Sequence, residues 1–127
     1  MRLALALALS AALGGAQAGT AALLIDDLGH NRGAARRALA LPPPVAVAVL
    51  PDTPYAAEIA RAARRAGSDV LVHLPMSAGG TGAGVLRADM TPAAFRARVD
   101  TALAAVPRAI GVNNHMGSGL TRKRPAM

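Results

Sequence analysis

The chain has no cysteine and no tryptophan, and its aromatic rings are limited to Tyr55 and Phe95. Without cysteine there is no disulfide, no thiolate nucleophile and no thiolate metal site, so any metal must be held by histidine and carboxylate. With so few rings there is little on which bases could stack, which argues against nucleic-acid binding in spite of a net charge of +7. Lysine is scarce as well, appearing only at Lys123, so the positive charge is arginine. These arginines recur at helical spacings (Arg36, Arg37; Arg61, Arg64, Arg65; Arg96, Arg98), the pattern of solvated helix faces. A lesser reading is that they favour anionic envelope polymers.

The other scarcity is of long apolar runs, although apolar residues make up 53% of the chain and so exclude an intrinsically disordered protein. The one extended run stands at the start. Arg2 supplies a positive n-region, Leu3 to Leu13 an apolar stretch, and Ala16-Gln17-Ala18 a small-residue cleavage site, so residues 1–18 read as a signal peptide. Gly14, Gly15 and Gln17 interrupt the run short of the ~20 apolar residues of a membrane span. The expectation is one exported domain, residues 19–127, periplasmic or extracellular, with no stable membrane span after cleavage.

From Ala21 onward short apolar runs alternate with longer amphipathic segments, as in βα units with a parallel sheet. Strands are expected at Ala21–Ile25, Val45–Leu50, Val70–Leu74 and Ala109–Val112, each short and bounded by turn residues. Helices are expected at Arg32–Ala40, from Pro54 to Gly67, and from Thr91, as N-cap with Pro92 behind it, to about Val106. On the last, Phe95, Val99, Leu103 and Val106 share a face suited to lie on the sheet. The glycine-rich stretch from Ser77 to Gly84 lacks the Lys-Ser or Lys-Thr and the immediate helix of a phosphate loop, and reads as a surface loop.

Reactive groups in parallel α/β sheets collect at the carboxyl ends of the strands. Asp26 and Asp27 end the first expected strand, Asp52 follows the second, His73 lies near the end of the third, and Asn113, Asn114 and His115 follow the fourth. Two histidines and a carboxylate from three strand ends suit a divalent metal with a position left for water. A neighbouring carboxylate can then serve as general base. Neighbours in extended backbone point oppositely, so the two aspartates need not share a role, and a tight turn at Leu28-Gly29 can bring both near the pocket.

Four segments also carry a family likeness. Leu23-Leu-Ile-Asp-Asp-Leu-Gly29, Val47-Ala-Val-Leu-Pro51 with Thr53-Pro-Tyr-Ala56, Leu71-Val-His-Leu-Pro-Met76 and Gly111-Val-Asn-Asn-His-Met-Gly-Ser118 resemble successive motifs of the divergent polysaccharide deacetylase family. Any one is weak; four in order are specific. The resemblance implies an α/β fold, here an incomplete distorted (β/α) barrel with about four parallel strands and intervening helices. A complete barrel needs roughly eight strands, and the family's later strands would bring a general acid and close the pocket.

The resemblance further implies Asp26 as catalytic base and Asp27, His73 and His115 as metal ligands, with zinc the ion favoured by that set. The implied reaction is attack of metal-activated water on an acetyl group of a polysaccharide or other glycan. Where the family pattern has a histidine, this chain has Asp52.

Each residue also has a plainer reading. His73 is a buried histidine bonded to backbone; one aspartate caps a helix; Asn113 and Asn114 are either donors behind the site or turn formers; His30 is a surface residue; Tyr55, Met76 and Met116 pack. At the level of the whole protein the alternatives are a non-catalytic carbohydrate-binding or envelope-interaction protein and an inactive fragment with an unpaired sheet edge.

Overall fold

A computed structural model describes residues 21–42, 45–79, 82 and 84–126. The stretch read as a signal peptide lies outside these residues. In chain order the elements are β1 (Leu24–Leu28), α1 (Arg32–Leu39), β2 (Ala46–Val49), α2 (Ala56–Arg65), β3 (Val70–Met76), α3 (Pro92–Ala105) and β4 (Gly111–Met116), followed by a 3-10 turn at Arg124–Ala126. The strands form one sheet in the order β1-β2-β3-β4, parallel throughout. The expected α/β alternation is present, and the sheet is open, not closed into a barrel.

The sheet has two chemically different faces. Register pairs Val47 with Val70 and Val49 with Val72, and these four valines are fully buried. Against them lie Ala35 and Ala38 of α1, Ile59, Ala60 and Ala63 of α2, and Ala102 of α3 with Val106. Small alanines at these points let the helices approach the valine surface closely. Because strand side chains alternate, the opposite face carries Ala48, Leu71, His73, Asn113 and His115, with Asp26 beside them on β1. The polar residues therefore share a face, and the core lies behind it.

Three strands, β1, β3 and β4, end later than expected, and each of these ends matters to the site. β1 runs through Asp26 and Asp27 instead of stopping before them. β3 continues through Pro75 to Met76; the N–H that proline lacks lies on the β2 side, where pairing with β2 has already ended at Val49↔Val72 and the Pro75 carbonyl instead accepts from the Leu86 N–H. β4 runs to Met116, so Asn113 and His115 stand in a strand and not in a polar loop.

The helix starts follow local chemistry. Asn31 accepts a bond from the Ala34 N–H and caps α1, which removes the need for an aspartate cap. Thr91 caps α3 through the Ala94 N–H with Pro92 behind it, as expected. α2 begins two residues later than expected, at Ala56, and has no side-chain cap. The expected apolar face of α3 is only partly borne out: Phe95, Val99 and Val106 meet the core, but Leu103 is 40% exposed.

Candidate metal centre

The convergence of the two aspartates has a specific backbone cause. Pairing passes from Ile25↔Val47 to Leu28↔Val49, so β1 spends one more residue than β2 over the same distance. That is a β-bulge, which re-aims side chains next to functional sites. Asp27 takes φ 61° within it, a left-handed conformation that aspartate tolerates better than most residues. The bulge cancels the strand alternation. It brings both carboxylates to one side, a job the expected turn at Leu28-Gly29 does not do.

Three acceptor-capable atoms then meet. Asp27 Oδ1 lies 3.0 Å from His73 Nε2 and 3.0 Å from His115 Nδ1, and the two histidine nitrogens are 3.1 Å apart. The rings stand edge to face at a centroid distance of 4.8 Å. Ligands about 2.0–2.1 Å from a tetrahedral ion lie about 3.3 Å from one another, close to this triangle. One oxygen and two imidazole nitrogens are also the donor types that zinc accepts, with a position open. The residues present fit a divalent cation.

Asp26 stands beside the set. Its Oδ1 accepts a bond of 2.9 Å from Asn113 Nδ2 and lies 3.9 Å from His73 Nδ1. Burial is graded across the group: the side chain of His73 is 5% exposed, that of His115 32%, and those of Asp26 and Asp27 47% and 65%. The site thus opens to solvent on the β1 side and is anchored in the sheet at His73.

The other sequence candidates separate cleanly. Asn113 bonds both Asp26 and His73, whereas Asn114 turns away to donate to the Met116 carbonyl at 2.7 Å. Asp52 is not in the cluster; it pairs with Arg98 of α3, which also donates to the Gly84 carbonyl. The position where the resemblance leads one to expect histidine is therefore a tie between the β2–α2 loop, α3 and the end of the glycine-rich stretch. His30 is exposed and apart from the set. Tyr55 packs on the core under the guanidinium of Arg32. Met76 is partly buried against the core, but Met116 is 66% exposed and does not pack as expected. A cavity of about 840 Å³ lies elsewhere, lined by Met90, Phe95, Arg96 and Lys123 among others, and none of the metal-set residues borders it.

The profile of the family described as divergent polysaccharide deacetylase matches residues 23–127. The chain belongs to this family. Among curated relatives, the uncharacterized protein YibQ of Escherichia coli K12 is 41% identical over 107 residues, which is 82% of this chain and 34% of YibQ. An uncharacterized protein of Haemophilus influenzae Rd is 40% identical over 103 residues, 79% of this chain and 37% of that protein. The chain thus spans about a third of the length of these family members. The crystal structure of an uncharacterized protein from Agrobacterium tumefaciens C58 superposes with a TM-score of 0.75 at 22% identity, covering 83% of this chain and 45% of that one. That likeness bears on the fold.

Proposed function

We propose that the protein is a metal-dependent hydrolase that removes acetyl groups from an envelope or extracellular carbohydrate, and that it acts after export. The observation that carries this reading is the triangle of Asp27 Oδ1, His73 Nε2 and His115 Nδ1, 3.0–3.1 Å on each edge, with the Asp26 carboxylate next to it. Such a set with no cation would leave a carboxylate oxygen and two imidazole nitrogens facing one another, held only by whatever protons they share. Family membership supports the substrate class.

In this reading Asp27, His73 and His115 hold the ion, and zinc is the ion the donor set favours. A divalent ion there supplies polarisation of the acetyl carbonyl and a water acidic enough to be deprotonated near neutral pH. Asp26 takes the proton as general base, a role its accessible carboxylate suits. Asn113 holds that carboxylate in place through one oxygen. The buried wall of His73 fixes one side of the site, so substrate approaches from the open side, past Asp26 and Asp27.

The test is hydrolysis of acetylated glycan oligomers by the zinc-loaded protein and by Asp26→Asn. Acetate release that needs zinc and falls at least about 100-fold in the variant is the expected result. One observation favours a second reading, a carbohydrate-binding protein on the same fold: the half-exposed aspartates leave the site open to water. Glycan binding that survives Asp26→Asn, with no acetate release from either protein, would decide for it.

A further inference from the structure

The contacts of Asn113 go beyond what a metal set requires. Its Nδ2 donates to Asp26 Oδ1 at 2.9 Å, and its Oδ1 lies 2.9 Å from His73 Nδ1. A carboxylate can only accept, so the amide must turn its NH2 to Asp26 and its oxygen to His73. An amide oxygen can also only accept. His73 therefore carries a proton on Nδ1, and Nε2 is left to face Asp27 and His115, where the Asp27 carboxylate, which also only accepts, needs either a second imidazole proton or a cation between them.

We infer that Asn113 is a positioning residue: it fixes His73 in the Nδ1–H tautomer and ties the orientation of that ring to the carboxylate of Asp26. The strand supplies the geometry. Asn113 and His115 are two apart on β4 and share a face, and Asn113 is paired in register with His73. One strand thus carries a ligand and the group that orients its partner ligand. The metal side of this inference rests on the proposed metal centre; the tautomer side stands on the hydrogen bonds alone. Partners of this kind behind a ligating histidine typically change metal affinity 10–100-fold when removed.

The test uses the full chain with 15N-labelled histidine, metal-free, at one fixed pH for all variants. Long-range 1H–15N spectra, with the His73 signals assigned by their loss in His73→Ala, are expected to show the proton on Nδ1. In Asn113→Ala the two His73 nitrogens should move toward the averaged values of mixed tautomers. Zinc affinity, measured against a chromophoric chelator, should fall about 10–100-fold in Asn113→Ala. A His73 with no proton on Nδ1 in the unsubstituted chain overturns the inference even if the alanine variant fails to fold. So does unchanged zinc affinity in a folded Asn113→Ala protein. If the unsubstituted chain takes up no zinc, the metal reading fails while the tautomer measurement still decides the role of Asn113.

Discussion

Helices α2 and α3 both pack on β3, yet they are held there by different means. α2 buries Ala56, Ile59, Ala60 and Ala63 and has no side-chain cap. α3 is longer, buries only Ala102 within its span, and relies on the Thr91 cap and the tie from Arg98 to Asp52. Packing thus dominates the β2–β3 centre, and local chemistry matters more beside β4. The difference reaches the site, because His73 rises from the packed strand and His115 with Asn113 from the edge strand, where Ile110, Val112 and Met116 stay exposed. A cation bridging β1, β3 and β4 would join the firm part of the sheet to its edges.

The largest effect expected from this contrast lies in the core of α2. Ile59 is 3% exposed, and Ile59→Ala should lower stability by about 2–5 kcal/mol through lost burial and the cavity left behind. Leu103→Ala on α3, at a 40% exposed position, should change it by under about 1 kcal/mol. Urea denaturation of both variants checks this. Equal losses would mean that the α3 side is as well packed as the α2 side, and the contrast would fall.

Zinc should act next in size. At a free concentration ~100 times its dissociation constant, a ligand that binds only the folded state adds about 2.7 kcal/mol. The unsubstituted chain should show such a shift in thermal unfolding, and both His73→Ala and His115→Ala should lose it. The two variants should differ without metal. His73→Ala empties a buried position and leaves the half-buried Asn113 oxygen without its donor, a loss of about 1–3 kcal/mol, whereas His115→Ala at the more exposed edge should be close to neutral. Matching metal-free stabilities would remove the distinction between anchored and peripheral ligand.

How far all this could be read from sequence differs between fold and site. The strand–helix alternation was legible because apolar runs such as Val45–Leu50 and starts such as Thr91-Pro92 carry their own signals. The position of β1 was not, since two adjacent aspartates are disfavoured in strands and their place in this one depends on a bulge set by pairing with β2. The same bulge hid how both aspartates face one way. His115 read as a loop residue because its polar neighbours resemble a turn; only the register with β3 makes it a strand residue. Asn113 and Asn114 were indistinguishable by type, and strand alternation alone sends the first to the site and the second to the Met116 carbonyl. Asp52 needed its distant partner Arg98 to be understood.

Caps sharpen the comparison at a smaller scale. Thr91→Ala should lower stability by about 1 kcal/mol, and because the first turns of α3 hold no fully buried residue, hydrogen exchange should accelerate across them before the rest of the chain opens. Asn31→Ala removes the corresponding bond in α1 and should lower stability by a similar ~1 kcal/mol. Its exchange effect should be more confined, because Ala35 and Ala38 hold that helix to the core. Uniform acceleration in both variants would show that the helices unfold with the sheet as one unit.

The smallest effect concerns the tie between α1 and α2. Arg32 donates to both oxygens of Glu58 at 2.6–3.0 Å while stacking on Tyr55. The hydrogen bonds from Arg32 hold the Glu58 carboxyl below its ordinary range and raise the guanidinium in turn. A carboxyl whose folded pKa is depressed stabilises the fold above its unfolded pKa, and that contribution is lost as pH falls through the folded value. Glu58→Gln should therefore be less stable than the unsubstituted chain at neutral pH, with the gap closing as pH drops through and below the carboxylate range. Salt should narrow the neutral-pH gap, since both side chains are about half exposed. A gap that persists unchanged in acid would place the effect in the packing of the glutamate stem on α2, and the charge pair would then contribute nothing to joining the two helices.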